Sequence, residues 1–546
     1  MLFQILVPIS ITLAVYVVLH AAHLAYRTLS SPLRNLLSGP PMTSVIFGNF
    51  MEMADNLSRP SAWRKEYGPT FMYHGLFGVP ELHTSDLKAL NHMMAHPQIY
   101  QRADTERDMS RRLMGEGILY AETDQHRRHR RVLNPAFGVA QIKLMTEIFI
   151  EKALHLRDVW AREIERQSSD EGEHGTIEVL SGLRKVTLDI IGRAGFGYEF
   201  NALEGKTNEL NQALTDLFHS PQANFYGAIR LIQSFIPILK LVPLPGTRVL
   251  HIARTRMDDI GSHIVEDSKA ALIADKTIPD DKGNMLKGRR DLLSVLLKAN
   301  MSDGLPESQK LADDEVLSQI PAFFLAGHET TSAATSWALH ALSVNKAVQD
   351  RLREELLSVG TDNPTLDELN ALPLLEKVIR ETMRLHAPVT HILRKSMIDD
   401  ILPLSKPIVD HTGKEHWSLP IAKGQMLHLP LWAVNTSTET WGEDALEFKP
   451  DRWDHIPEAA SAVPGVWANL FTFFAGPHNC IGFRFSLAEL KAILFTLLRA
   501  FEFSPAVPEG EIGPLVAGVL QHPGLLTNKE QGSGLPLVLT PVKSAA

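Results

Sequence analysis

One sulfur atom in this chain is placed to do chemistry. Cys480 is the only cysteine among 546 residues, and it stands in the run Phe473-Phe474-Ala475-Gly476-Pro477-His478-Asn479-Cys480-Ile481-Gly482. A free cysteine is more often a small buried hydrophobe than a reagent, but the neighbours here argue for a ligand. Apolar residues recur at Phe483, Leu487, Leu490, Leu494, Leu497, Leu498 and Phe501, spacings of three and four that predict a core helix. That helix would place Cys480 at its N-terminus, where unpaired N–H groups and the helix dipole favour a thiolate. With no second cysteine, disulfide and zinc readings close, and a single thiolate held for an iron explains the surroundings. Gly476 and Gly482 flank it where a side chain would obstruct a flat ligand, and His478 adds a donor suited to a carboxylate.

Two further groupings could handle protons or charge, and each needs a helix to position it. Asp313 to Leu342 is Ala-rich and largely apolar without a polar face, which predicts a buried helix centred on Ala326-Gly327-His328-Glu329-Thr330-Thr331. Glycine costs about 1 kcal/mol in a helix interior, so Ala326-Gly327 beside a polar cluster predicts a close approach to the backbone. Pro321 removes a hydrogen bond and predicts a kink one or two turns earlier than the cluster, near Phe323 and Phe324. The next clear helix starts near Pro373 and stops before Pro388. Its apolar stripe Leu374, Val378, Glu381, Leu385 includes a carboxylate, which needs a partner; Arg384 shares its face. The run His126-Arg127-Arg128-His129-Arg130-Arg131, taken alone, reads as a solvated helix face.

Together these segments resemble the cytochromes P-450, the haem-thiolate monooxygenases. Phe473, Gly476, His478, Cys480 and Gly482 fill the family's Phe-x-x-Gly-x-(Arg/His)-x-Cys-x-Gly loop, with His478 where many members have Arg. Ala326 to Thr330 is similar to the oxygen-side groove, (Ala/Gly)-Gly-x-(Asp/Glu)-Thr, and Glu381-Thr382-Met383-Arg384 to Glu-x-x-Arg. Phe448-Lys449-Pro450-Asp451-Arg452-Trp453 is similar to the later Pro-x-Arg-(Phe/Trp) segment. Four segments agreeing in type and order implicate practically the whole chain, closest to membrane-anchored fungal members.

The resemblance implies a mainly α fold with small β-sheets (α+β) and haem b bound through the Cys480 thiolate, a ligand that favours O–O cleavage. It implies that Thr330 and Glu329 deliver protons on the oxygen side, and that Glu381, Arg384 and Arg452 form a buried triad bracing the cysteine loop. Arg130, Arg394 and His478 would meet the haem propionates; His126 takes the place of a tryptophan with that duty, and Phe473 belongs to the haem-binding loop. Phe323, Phe324, Ala326, Gly327, Val389 and Ile392 would line the substrate pocket, whose mostly apolar character favours a lipophilic molecule such as a terpenoid. O2 would be the co-substrate. No flavin or nicotinamide fingerprint accompanies these motifs, so electrons would come from NADPH through a separate cytochrome P-450 reductase, with cytochrome b5 as a second donor. The rival readings are a haem-thiolate enzyme that rearranges a peroxide or isomerises without O2, against which Thr330 argues, and a non-catalytic haem-binding membrane protein.

The bulk numbers fit. A net charge of −9 argues against a nucleic-acid binder. Hydrophobic content of 44% allows a large core. Leu2 to Ala25 is almost wholly apolar, long enough to cross a membrane, and lacks the basic start of a cleaved signal. Residues 1–26 are therefore expected to be a transmembrane anchor, 27–50 a basic and proline-rich hinge, and 51–546 one catalytic domain. Arg27 and Arg34 after the segment predict a cytoplasmic domain, single-pass in the endoplasmic reticulum membrane.

Overall fold

The computed structural model describes residues 2–55, 58–167, 174–205, 233, 245–276, 291–301, 306–529 and 532–542. They fall into two compact units. One comprises described residues of Met1–Thr105, Asn224–Pro243 and His391–Val434; the other comprises those of Glu106–Ala223, Leu244–Thr390 and Asn435–Ala546. Each unit is assembled from segments far apart in the chain, so no linker composition marks a boundary between them in the sequence.

The first unit begins with α1 (Leu2–Ser30), a continuous helix whose Arg27 donates to the Gly424 carbonyl at 2.8 Å. Among the described residues no helix is long and apolar enough to cross a membrane. Its main sheet has the order β1-β2-β8-β5-β3, formed by β1 (Thr70–His74), β2 (Pro80–Thr84), β3 (Tyr100–Gln101), β5 (Ile392–Ser396) and β8 (Met426–Leu429). Only β2 and β8 run parallel. A hairpin of β6 (Asp400–Val409) and β7 (Glu415–Ile421) packs near α2 (Leu87–Ala95). Asp86 caps α2 through Ala89 N at 3.0 Å and also accepts from Ser405 N at 2.9 Å, joining helix and hairpin through one carboxylate.

The second unit is the helical one. Its elements include α3 (Thr123–Leu133), α4 (Val139–Gln167), α5 (Val179–Ile190), α6 (Asp313–Leu317), α7 (Gln319–Val344), α8 (Pro373–Leu385) and α9 (Phe483–Ala500). From Leu490 onward the apolar stripe expected on α9 is buried, Phe483 and Leu487 being half-buried, and the helix packs on α4 with Phe149 edge-on to Phe485 at 4.8 Å. α7 is buried almost all round and packs on α5, α8 and α9. Small sheets close the unit: β4 (Gly175–Glu178), β12 (Pro536–Pro541) and β9 (Phe501–Pro505) in the order β4-β12-β9, and a hairpin of β10 (Ile512–Ala517) and β11 (Leu520–Leu525).

Two local expectations are corrected. The long helix does not kink near Phe323; it breaks at Ser318, between α6 and α7. Pro321 has no N–H for the carbonyl of Leu317, four residues back, so the ladder is interrupted on that side and the proline settles into the first turn of α7. Cys480 does not sit in the first turn of α9. The helix starts at Phe483 with Gly482 at its cap, so the thiol lies in the loop before it.

Candidate active site

Cys480 is held by its backbone first. Its N–H donates to the Phe473 carbonyl at 2.9 Å, closing the loop into a tight turn. Within that turn Phe474 has φ +59°, in a region that costs a side-chain-bearing residue steric strain, and Gly476 has φ +66°. The side chain is open on one face, while crowding on its other sides raises the thiol above its ordinary range. The Gly482 N–H and the charge of Arg130 pull toward the thiolate. Arg130 reaches this loop directly: its two terminal nitrogens grip the carbonyl and side-chain oxygen of Asn479 at 2.8 and 2.9 Å.

The two histidines that depart from the commoner family pattern meet each other. His126 on α3 stacks on His478 with ring centroids 3.9 Å apart, and His478 Nε2 lies 3.2 Å from the buried carboxylate of Glu122. Phe473 packs between Trp467 at 5.7 Å and Phe483 at 5.9 Å.

A charge cluster stands behind the loop. Glu381 receives both Nε and Nη2 of Arg384 at 2.9 Å, and all four groups are out of contact with water. Arg452 Nε is 3.3 Å from the same carboxylate, to which Trp453 Nε1 at 3.1 Å and Lys449 N at 3.0 Å also donate. Asp444 pairs with the far side of Arg452 at 2.6 Å. The link to the cysteine loop is made by neutral groups that the sequence reading missed. Thr472 donates to the Met383 carbonyl of α8 at 2.8 Å and accepts from Asn435 at 2.7 Å, while Asn435 accepts from Phe471 N at 2.8 Å. Asn435 is thus fully buried in a structural bond.

Midway along α7 a strip is open: Ala326 is exposed, and Leu325, Gly327 and Thr330 are half-buried, while Thr331 to Leu339 are buried. The Thr330 hydroxyl donates to the Ala326 carbonyl at 2.7 Å, which leaves its lone pairs to accept a hydrogen bond from the open side. Glu329, next to it, points the other way. It is buried and in contact with Arg184 of α5 at 3.4 Å, His328 at 3.1 Å and His522 of β11 at 3.0 Å. Burial opposes its charge, but the two imidazoles and Arg184 prevail and hold the carboxyl well below its ordinary range.

A family profile described as Cytochrome P450 matches residues 38–527. Cytochrome P450 monooxygenase 205 of Postia placenta is 44% identical over 542 residues, 98% of each chain. Cytochrome P450 monooxygenase 128 of the same fungus is 45% identical over 519 residues, 93% of each chain. The chain belongs to the cytochrome P450 family. It is a monooxygenase of that family, mainly helical with small sheets, and a third relative, a ganoderic acid synthetase of Ganoderma lucidum, is 36% identical over 87% of this chain and 88% of its own.

For a P450, the donor set around Cys480 fits a haem: one soft ligand on an exposed residue, with an N–H and a guanidinium both favouring its thiolate. The other residues expected at the site are held as follows. Phe324 packs into the core between Phe196 at 4.4 Å and Phe200 at 5.0 Å, and Phe323 is covered by the edge of Phe137 at 5.4 Å. Gly327 is needed by a protein neighbour: a Cβ there would stand 2.9 Å from Cγ1 of Ile191, in the π-turn Ile191–Gly195 that follows α5. Glu329 is enclosed by its three partners, with no direct face to solvent. Arg394 lies in the first unit, buried on β5 with Nη1 donating to the Leu393 carbonyl at 2.9 Å, as does half-buried Ile392. Val389 belongs to the second unit, where it bridges to Leu520.

Proposed function

We propose that this P450 hydroxylates a lipophilic small molecule of fungal secondary metabolism, a terpenoid in the first instance, using O2 and electrons from an NADPH-dependent P450 reductase, with cytochrome b5 as a second donor. The observation that carries the oxygen-dependent reading is the open strip of Ala326, Gly327 and Thr330 midway along a mostly buried helix, with the Thr330 hydroxyl oxygen left to accept. The substrate class rests on the ganoderic acid synthetase relative and on the apolar composition of the residues near the strip. A haem, when bound, supplies the activation of O2 and the oxidation of the substrate carbon.

The chain's own residues do the rest. Cys480 would present Sγ as the ligand; burial raises its thiol, and the Gly482 N–H and Arg130, itself fixed on Asn479, draw it back part of the way toward the thiolate. Thr330 accepts a hydrogen bond at Oγ1 and so orients a protonated group or a water in the strip. His126 and His478 form a polar edge beside the loop that suits a carboxylate such as a haem propionate. Arg394 is proposed for a second propionate. Arg127 and Arg131, exposed on α3, are proposed as the basic face for an acidic reductase, Arg127 beside its own Asp124 and Arg131 against Gln309, whereas Arg128 is half-buried on Glu315. The apolar residues of α1 are proposed as an anchor in the endoplasmic reticulum membrane, with the catalytic part on its cytoplasmic side.

The test uses the whole protein. Reduced and exposed to carbon monoxide, it should show the red-shifted band of a thiolate adduct, and Cys480→Ala should lose it; a band that persists overturns the ligand. Co-expression with a fungal reductase and a panel of terpenes should yield a hydroxylated product. Thr330→Ala should keep the band but divert reductant away from that product.

A further inference from the structure

α3 meets the cysteine loop through two residues four apart, which share one face of the helix: His126 stacks on His478, and Arg130 grips Asn479. The two loop residues are consecutive and directly precede Cys480. Arginine only donates, so the side-chain oxygen of Asn479 is the atom turned to Arg130, and the amide nitrogen is the one turned away. The loop fixes this residue in turn. Asn479 N donates to the Gly476 carbonyl at 3.2 Å, and Cys480 N to the Phe473 carbonyl at 2.9 Å. The backbone carbonyl and the side-chain oxygen of a single residue therefore take two of the five N–H groups of the guanidinium.

The neighbouring arginines of α3 have other partners: Arg127 pairs with Asp124, Arg128 with Glu315, and Arg131 donates to Gln309. Arg130 is different. Among the described residues it is in no ion pair, and both oxygens that hold it are neutral. A half-buried cation held by neutral oxygens keeps its whole charge for what stands beside it. What stands beside it is Cys480: burial works against the charge of Arg130, and Cys480 works in its favour. The family's loop pattern leaves the place of Asn479 open, so the motif assigns that residue no part.

We propose that Asn479 is a positioning residue for electron uptake: by holding Arg130 with Oδ1 it keeps an uncompensated cation beside the Cys480 ligand, and so raises the reduction potential of the haem iron. The proposal rests on the reading of Cys480 as that ligand. Reduction adds one negative charge at the iron, and a fixed positive charge nearby favours the reduced form. The electron comes from the reductase proposed as donor; no bond is made or broken in Arg130 or Asn479. Leucine has nearly the size of asparagine without an acceptor, so Asn479→Leu releases Nη2 and leaves the guanidinium on the backbone carbonyl alone. With one anchor instead of two, the guanidinium turns toward water, where its charge is screened.

The test is a redox titration of the full-length holoenzyme, with the carbon monoxide band recorded for each variant. Asn479→Leu should make reduction about tenfold less favourable, a downward shift of about 59 mV for one electron, while the thiolate band stays in place. In an Arg130→Gln background, whose own potential should already be lower than that of the wild type, Asn479→Leu should shift nothing further. Asn479→Asp keeps the grip and adds a carboxylate that offsets the cation, so the potential should fall although the contact survives. An unmoved potential in Asn479→Leu, an equal shift with and without Arg130, or a potential in Asn479→Asp at or above the wild type overturns the proposal. If Asn479→Leu does not take up haem, Asn479→Ser, too short to reach Nη2, replaces it under the same criteria. A wild type without the thiolate band fails the reading of Cys480 and the proposal with it. The band with an unmoved potential fails the proposal alone.

Discussion

Glu381 and Glu329 are both buried carboxylates clasped by cations, and they differ in what the cations are. Glu381 is held by Arg384 and Arg452, whose charges do not change at any pH the protein meets, with Trp453 and a backbone N–H completing its shell. Glu329 has one arginine and two imidazoles, a side chain that, unlike a guanidinium, also exists in a neutral form. The first arrangement suits a brace, since its cations keep their charge. The neighbouring packing differs too: the cysteine loop is tied by Asn435 and Thr472 to the brace helix, whereas α7 meets α5 through the Thr187 hydroxyl on the His328 carbonyl at 3.1 Å, with Ile191, just after α5, filling the place of a Gly327 side chain.

The largest effect should come from the brace. Glu381→Gln leaves Arg384, with no exposed surface, facing a neutral amide. Breaking a buried pair from one side costs about 3–5 kcal/mol, a large share of the stability of a typical domain. The variant should accumulate poorly and incorporate little haem, measured by soluble yield and haem absorbance. Arg384→Lys should fail almost as badly, because an ammonium cannot make the two parallel bonds. If Glu381→Gln unfolds no more readily than the wild type, the brace is not what the geometry says.

A third buried carboxylate extends the contrast. Glu489 on α9 has no exposed surface and no cationic partner among its contacts; burial raises it well above the ordinary carboxylate range, with Thr331 drawing it back only in part. The folded chain therefore keeps a proton there after the unfolded chain has lost it. Between the ordinary carboxylate value and the raised one, stability falls as pH rises, by about 1.4 kcal/mol per pH unit. Glu489→Gln removes that slope and should gain on the wild type from mildly acid to neutral pH. Glu329, lowered by its partners, has the opposite sign: its contribution is present above the ordinary value and is lost as pH falls through the folded one, so Glu329→Gln loses most at neutral pH. Thermal unfolding of both variants across pH checks the two slopes; parallel curves for Glu489→Gln and wild type would mean that Glu489 is ionised in the fold.

Thr472→Val probes the neutral part of the cysteine-side arrangement. The exchange keeps the shape but strips Asn435 of an acceptor and the Met383 carbonyl of a donor, at about 1–3 kcal/mol for the buried groups left unpaired. Unfolding should come earlier by that amount. The carbon monoxide band should keep its position, because the thiolate itself is untouched.

The parts of this site that follow from neighbours in the chain were legible in the sequence. The bounds of α8 follow from Pro373 and Pro388, the stripe of α9 from its spacing, and the pairing of Glu381 with Arg384 from a carboxylate in an apolar row. The groups that complete each cluster were not legible. Arg184 and His522 reach Glu329 from a helix and a hairpin on either side of it in the chain, and Asn435 reaches Thr472 across a long segment, so no local spacing announces them. The break at Ser318 was misplaced because a proline acts backwards, on the carbonyl four residues before it. One signal was available and unused: His126 and His478 are two departures from one family pattern, and two departures at positions that serve the same ligand can answer each other, as their stacked rings do.

The smallest effect concerns fit on the oxygen side. Gly327→Ala would gain about 1 kcal/mol of helix propensity on an exposed helix, yet here the new Cβ would meet Cγ1 and Cδ1 of Ile191 at 2.9 and 3.0 Å. Overpacking of this kind costs about 1–3 kcal/mol, so the net should be a modest loss. The sign should invert when Ile191 is shortened. In an Ile191→Ala background the added methyl fills part of the space vacated, and Gly327→Ala should then stabilise the chain in a double-mutant cycle read by denaturant unfolding. A loss of equal size in both backgrounds would place the obstruction outside the Ile191 contact. It would return Gly327 to the role expected from the sequence, that of leaving room for a ligand, and would make the seating of α7 on α5 depend on its charges after all.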